Sequence, residues 1–531
     1  MSPPVSRDPN IRTPGSIGAE KRYRILESDR SVYLQKAREC VDVTLTYLLN
    51  QGDTSGTREE KSTPYSSKGA QSSRNLAAKM LTALFPSNEP FLKLEVDKSV
   101  RQELLANTEQ ENFETELDRA LGTAEREIMS EVDQTALRVD VAEALEHIVV
   151  CGNVLLYLPD KGKQRVFPMD RYVVVRDGEE KPREIVIKEE FSDANLPDEL
   201  RKYAKSVTQS DYSMSNSANH KVYTWIKWDD RSKKWRWRQE FNDHLIKSGY
   251  YKEDELPYVA LRGIKVSGEH WGRSLVELYL GDMYSLENLY GSLVQTANLS
   301  ARILFGIRKG SGLAPKRMTG LPNGGFFMGD EGDIWTLQVD KMNDLRVQEA
   351  VIEKLERRLD LAFGSPDSIR RDAERVTAEE IRIMTLEFSE TQSALYSILS
   401  EELQLPVARL LMSRLRKQDR LPEAFDDDLI KPSITTGVQA LGRGNDAIKL
   451  QQFDAMVGEN PERAIYVNQG DFVLRAANAL GIDADGLVKN EQEVGATRDE
   501  SDMREIGRQV GPGLIEGAMA PAEAPVEQPQ V

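Results

Sequence analysis

The stretch SLVELYLGDMYSLENLYGSLVQTANLSARIL, residues 274–304, decides the fold. Tyr279, Met283, Leu286, Tyr290, Leu293, Ala297, Ser300 and Leu304 recur in steps of four and three, a narrow apolar seam with polar residues on the other faces. Ser274 with Glu277 three residues later reads as a capping box. No proline interrupts the run, and Gly306 is a plausible stop. The spacing predicts one helix of about 46 Å at 1.5 Å per residue. Read alone, such a seam also fits a coiled-coil dimer.

Working outward, 309–333 is a Gly/Pro-rich insert that ends in the strand-like Asp333-Ile-Trp-Thr-Leu-Gln. It carries Lys309, Lys316 and Arg317 early and Asp330, Glu331 and Asp333 late, a polarity suited to a complementary partner. A second helix is predicted over 347–363, with Val351, Ile352, Leu355, Leu359 and Phe363 on one stripe. Two amphipathic helices around such an insert make an antiparallel pair. A polar break, 364–376, follows, with Arg370, Arg371 and Arg375 beside Asp367, Asp372 and Glu374. Thr377-Ala-Glu-Glu380 then caps a helix that Leu405-Pro406 divides and that ends near Lys417.

Upstream, helical periodicity covers Lys21 to about Asn50, Lys68 to Phe85 and about Asn107 to Val149. Strand signals fill 154–260. Within them, Val222-Tyr-Thr-Trp-Ile-Lys-Trp and Trp235-Arg-Trp-Arg flank Asp229-Asp-Arg-Ser-Lys-Lys as a hairpin. Its alternating Trp and Lys/Arg suit either a base-stacking platform with phosphate contacts or two amphipathic strands with aromatics in a core. Residues 1–20 and 511–531 are Pro/Gly-punctuated and read as flexible and disordered. The fold class expected is α+β, predominantly helical.

The 531-residue chain is 30% charged, with 87 acidic and 70 basic side chains and a net charge of −17. A tight nucleic-acid binder is usually basic, so this balance fits either no DNA contact or DNA that must not stick. Two unpaired-looking cysteines, Cys40 and Cys151, fit a reducing cytoplasm. The longest apolar run, 147–158, is too short to span a membrane. His147, His220, His244 and His270 are scattered. HExxH, GxxxxGK[ST] and GxSxG do not occur. An enzyme, a metal site or a cofactor is therefore not expected. A nuclease would need a clustered carboxylate site.

Several long stretches resemble the portal, or head-to-tail connector, proteins of podophages. They are NLAAKMLTALFP (75–86) with Ser87 to Phe91, GNVLLYLP (152–159), GRSLVELYLGD (272–282) with SLENL (285–289), ERVTAEEI (374–381), YSILSEELQLP (396–406) and GRGND (442–446). The resemblance covers nearly the whole chain and is weakest at 192–220, at the tip of the 309–333 insert and beyond 495. It implies a portal fold of wing, stem, clip and crown in a ring-shaped homo-oligomer of twelve subunits at one capsid vertex of the virion. On this chain it places a wing at 21–271, a stem at 272–305 and 347–363, a clip at 306–346, a tunnel loop at 364–376, a further wing helix at 377–420 and a crown at 421–510.

The same resemblance implies a channel through which double-stranded DNA is packaged and later ejected. Implied partners are terminase, a tail adaptor, capsid, scaffolding and internal core proteins, with assembly in the host cytoplasm and no membrane. The tunnel-loop candidates for DNA contact are Asp367, Arg370, Arg371, Asp372 and Arg375, whose arginines could equally pair with the neighbouring acids. Glu277, Asp282 and Glu287 are candidates for a channel wall that DNA slides past. Lys309, Lys316, Arg317, Asp330 and Glu331 are candidates for partner docking at the clip. Another virion component, such as an internal core or tail-tube protein, is the alternative.

Overall fold

The computed structural model describes residues 17–49, 63–86, 90–96, 113–160, 162–191, 220–241, 244–300, 304–310, 330–337, 342–364, 393–418 and 430–434, with isolated positions between and after them. The chain divides into two compact units, Met1–Val438 and Gln439–Val531. Of the second, the described positions include a short helical stretch at 453–457.

In the first unit the helices are α1 (Ala19–Asp42), α2 (Lys68–Leu84), α3 (Phe113–Gln134), α4 (Leu137–Cys151), α5 (Leu275–Leu278), α6 (Leu280–Ser300), α7 (Met342–Phe363), α8 (Ser393–Leu399) and α9 (Leu405–Lys417). Helix and antiparallel sheet are segregated along the chain, as an α+β fold requires. A three-stranded sheet has β2 (Asn153–Tyr157) between β3 (Arg165–Pro168) and β9 (Tyr258–Arg262). A meander follows the order β4 (Tyr172–Arg176), β5 (Pro182–Phe191), β6 (His220–Asp229), β7 (Lys234–Phe241), β8 (His244–Tyr251).

The two remaining pairs join distant segments. Strand β1 (Leu92–Val96) pairs with β12 (Ile430–Ile434), and β10 (Leu304–Ile307) pairs with β11 (Ile334–Leu337). Ile430 is buried against the same core as Leu92 and Leu94, so β12 packs within the first unit.

Tertiary contacts also redraw the helix ends. The helix expected over 107–149 breaks at Ala136, which adopts a left-handed φ of 53° between α3 and α4. The first helix begins at Ala19, not at 21; Ala19 is buried and its N–H donates to Glu240 Oε2 at 2.6 Å. Residues 377–392 lie outside the described residues. The division expected at Leu405-Pro406 is there, preceded by a π-helical turn at Ser400–Gln404. Pro406 follows that turn directly, and the widened π-helical turn lies where a proline removes a donor from the helical ladder.

One contiguous core runs from α1 through α2, α4, β2 and β9 to α9. Helix α4 supplies its centre with Val141, Ala144, Leu145, Ile148 and Val149, all buried. Among the described residues, no helix is long and apolar enough to cross a membrane.

Candidate channel-forming helix pair and its root

Helix α4 ends at Gly152, whose φ of 75° lets its N–H reach the carbonyls of His147 and Ile148. A Cβ here would stand 2.6 Å from the Arg273 carbonyl carbon, so this glycine also permits a backbone contact. Asn153 follows, and its buried amide clasps Gly272 at both ends. Oδ1 accepts from the Gly272 N–H at 2.7 Å, and Nδ2 donates to the Gly272 carbonyl at 2.7 Å. Gly263 N–H donates to Gly152 O at 2.8 Å, and Ile264 and Arg273 exchange two bonds of 2.8 Å. The stretches 152–159 and 272–282 thus meet at the root of the helix pair.

From that root Ser274 caps the next helix, its Oγ accepting from Glu277 N–H at 2.9 Å. The return half of the expected capping box is not made. Glu277 instead accepts from Arg273 Nη1 at 3.0 Å, and Arg273 also binds Glu269 at 2.8 Å. The single helix expected over 274–304 is corrected to α5, a non-helical Tyr279, and α6 ending at Ser300. Leu304 and Gly306 belong to β10. Gly306 is not a helix stop; its bare Cα receives the Trp335 indole of β11, which a Cβ would meet at 2.2 Å.

Helix α7 begins at Met342, five residues before the expected 347, and ends at Phe363 as predicted. It runs antiparallel to α6, since Tyr279 meets Phe363, Asp282 meets Arg358 and Tyr290 meets Glu356. The Tyr290 hydroxyl donates to Glu356 Oε1 at 2.6 Å. Met283, Leu286, Ile352, Leu355, Leu359 and Phe363 are buried at this junction. The predicted seam fades after Leu293, and Ala297 and Val351 are exposed.

Helix α2 holds the far end of α7. Lys68 Nζ lies 2.5 Å from Asp360 Oδ1, with both side chains under 10% exposed. Lys79 Nζ donates to the carbonyl of Gly364, whose φ of 65° ends the helix. A second buried hub fixes the π-helical turn. Glu402 accepts from Arg262 N–H at 3.0 Å and Arg262 Nη2 at 2.6 Å, with Arg176 at 3.5 Å. Burial lowers the Arg176 guanidinium to about 10.

The three wall candidates are all engaged within the chain. Glu277 pairs with Arg273, and Asp282 pairs with Arg358. Glu287 accepts the backbone N–H groups of Tyr65 at 2.7 Å and Ser66 at 2.9 Å. Lys309 lies exposed in the turn after β10, and Glu331 in the turn before β11. Asp330 N–H donates to Asp333 Oδ2 at 2.8 Å. Lys316 and Arg317 lie outside the described residues, as do Asp367, Arg370, Arg371, Asp372 and Arg375. Sequence reasoning missed Asn153, Lys68, Asp360 and Glu402. A Gly-Asn pair after an apolar helix was the one available signal, and only for Asn153. Among the described residues, no cluster of His, Cys, Asp or Glu could hold a metal ion.

An antiparallel helix pair, α6 with α7, is rooted in a core of helices and antiparallel sheet, and the β10–β11 pair lies between its two members in the chain order. The chain belongs to the bacteriophage head to tail connecting protein family, whose model matches residues 18–488. It is 32% identical over 489 residues to the portal protein of Escherichia phage T7, covering 90% of this chain and 89% of that one. It is 33% identical over 488 residues to the portal protein of Enterobacteria phage T3, with the same coverages. The portal protein of Enterobacteria phage SP6 is 30% identical, covering 82% of each chain. A chain from the neck of an empty gene transfer agent particle aligns with a TM-score of 0.37 and 14% identity, over 78% of this chain and 90% of that one. That likeness is too distant to carry structural detail.

Proposed function

We propose that this chain forms the portal vertex of a short-tailed phage: a closed ring, with twelve subunits expected, through which double-stranded DNA enters the capsid and later leaves. The family match over residues 18–488 is the observation that carries the reading. The α6–α7 pair is suited to the channel wall, β10–β11 with the insert between them to the clip, and 364–376 to the tunnel loop. Terminase and a tail adaptor would dock at the clip, with Lys309, Lys316, Arg317, Asp330 and Glu331 as candidates. The chain itself would be structural rather than catalytic, with DNA moved by a separate ATPase.

Three exposed apolar side chains on or beside the pair support assembly. Leu278, Val347 and Leu361 are 64%, 65% and 67% exposed in the isolated chain. In a closed ring the neighbouring subunit would cover such side chains. Mass measurement and end-on electron micrographs of purified protein test the reading. Closed rings with a central hole are expected, and Leu361→Glu should weaken ring closure in a still-folded chain. A wild-type protein that stays monomeric across concentration and salt would overturn it.

A further inference from the structure

The hairpin of β6 and β7 sets Trp228, Trp235 and Trp237 on one face of the five-stranded sheet, and Lys227, Lys234, Arg236 and Arg238 on the other together with Tyr223 and Trp225. Trp228 and Trp235 are buried on the core side, where Trp237 also stacks on Tyr251 at 5.9 Å. The other face is covered over part of its width by α1. Tyr23 packs on Tyr223, Arg22 pairs with Glu184 at 2.8 Å, and Ala19 N–H binds Glu240.

Past α1 this face is basic. Lys227, Arg236 and Tyr250 stand side by side across β6, β7 and β8, and Trp225, Arg238 and Ser248 form the next row. Lys234 extends the line toward the hairpin end. Alternate residues of one strand are about 7 Å apart, so Lys234, Arg236 and Arg238 make a regular ladder of cations. Lys227, Lys234 and Arg236 are exposed, and among the described residues none has a carboxylate within ion-pair distance. The acids on this face are already committed. Glu184 holds Arg22, Glu190 holds Lys188, Glu240 holds Arg238 and Ala19 N–H, and Asp229 accepts from Arg231 N–H and Ser232 Oγ within the turn, with the Arg236 charge also acting on it.

The aromatics here are capped. The Arg238 guanidinium lies 4.0 Å from the Trp225 ring centroid, and Arg236 covers Tyr250 while donating to its hydroxyl at 3.0 Å. The exposed apolar area is confined to Tyr250 and Leu245, 50% and 37% exposed, which is less than the buried apolar centre that a protein interface needs. What is offered is three exposed cations, Lys227, Lys234 and Arg236, beside the paired Arg238, a set that reads charge and not sequence. In a chain of net charge −17 such a cluster runs against the balance of the surface.

We propose that this face of the β6–β8 sheet binds the phosphate backbone of double-stranded DNA, outside any channel and without sequence preference. The proposal rests on the portal reading only for the presence of DNA; it does not require a closed ring. Full-length protein is titrated with covalently closed circular duplex DNA, which cannot thread a closed ring, between 50 and 200 mM salt. The variant carries Lys227→Gln, Lys234→Gln and Arg236→Gln, exposed positions at which thermal unfolding should match wild type. Three lost phosphate contacts make the salt slope shallower by about 2.7, so wild type should lose about 40-fold more affinity than the variant over that range. Equal slopes would overturn the proposal, as would wild-type protein that does not bind the circle. Tighter binding of poly-glutamate than of DNA would also overturn it, in favour of an acidic protein partner. Particle mass measured on the same samples reports ring closure separately, so a monomer that still shows the slope difference would reject the portal reading alone.

Discussion

Asn153 and Gly272, 119 residues apart in sequence, exchange two hydrogen bonds of 2.7 Å through the two ends of one buried amide. This contact ties the start of β2 to the segment that launches the helix pair. Asn153→Leu leaves a backbone N–H and a carbonyl without partners, at about 1–3 kcal/mol for each buried group. Asn153→Asp keeps the acceptor but sets a buried carboxylate oxygen against the Gly272 carbonyl, so its loss should shrink as pH falls and the carboxyl takes up a proton. Chemical unfolding at two pH values should show that change for Asp and not for Leu.

The Lys68–Asp360 pair is buried, and removing one partner strands the other charge. Asp360→Ala should destabilise the fold by about 3 kcal/mol. The double variant Lys68→Met with Asp360→Leu removes both charges and should recover most of that loss. A double-mutant cycle read by urea unfolding checks the coupling, and additive losses would show that the two charges act independently.

Glu287 holds the chain at Tyr65 and Ser66 against α6. Glu287→Ala should accelerate hydrogen exchange at those two backbone amides while leaving amides of α4 protected. If Glu287 served only as a wall charge, neither amide would change.

His147 is buried in α4, and its Nδ1 has no hydrogen-bond partner among the described residues. Burial lowers its pKa to about 4 from 6.5. The folded state therefore holds the neutral ring, while the unfolded chain takes up a proton as pH falls below 6.5. Stability attributable to this site is full above that value and lost as pH falls toward 4. Between pH 7 and pH 5 the loss is about 2 kcal/mol. His147→Leu should make the unfolding free energy less steep over that interval, and a parallel pH profile would exclude the residue as its source.

Arg370 and Arg371 are the charges by which the proposed tunnel loop would touch DNA. Arg370→Glu with Arg371→Glu should leave rings assembled and reduce retention of packaged DNA, measured by nuclease protection of filled particles. Retention equal to wild type at low and high salt would make the loop a spacer whose arginines pair with the neighbouring acids.

Periodicity sufficed to find the helix pair, the β6–β7 hairpin and the helix that ends at Lys417. These are local properties: a repeat of apolar side chains or a turn composition is written in consecutive residues. The buried stripe Ile352, Leu355, Leu359 and Phe363 was legible for the same reason. Tertiary structure alone decided that the first helix breaks at Tyr279 and yields to a strand at Leu304, because pairing with Ile334–Leu337 satisfies that backbone in another way. It also decided what the acids do. Glu277, Asp282 and Glu287 read as charges of one channel wall along 274–304, yet their partners are a guanidinium four residues back, another on α7, and a pair of backbone amides some 220 residues away. A single sequence records that a carboxylate is present and on which turn. Which donor it meets depends on where a distant segment comes to rest, and packing of the whole chain sets that.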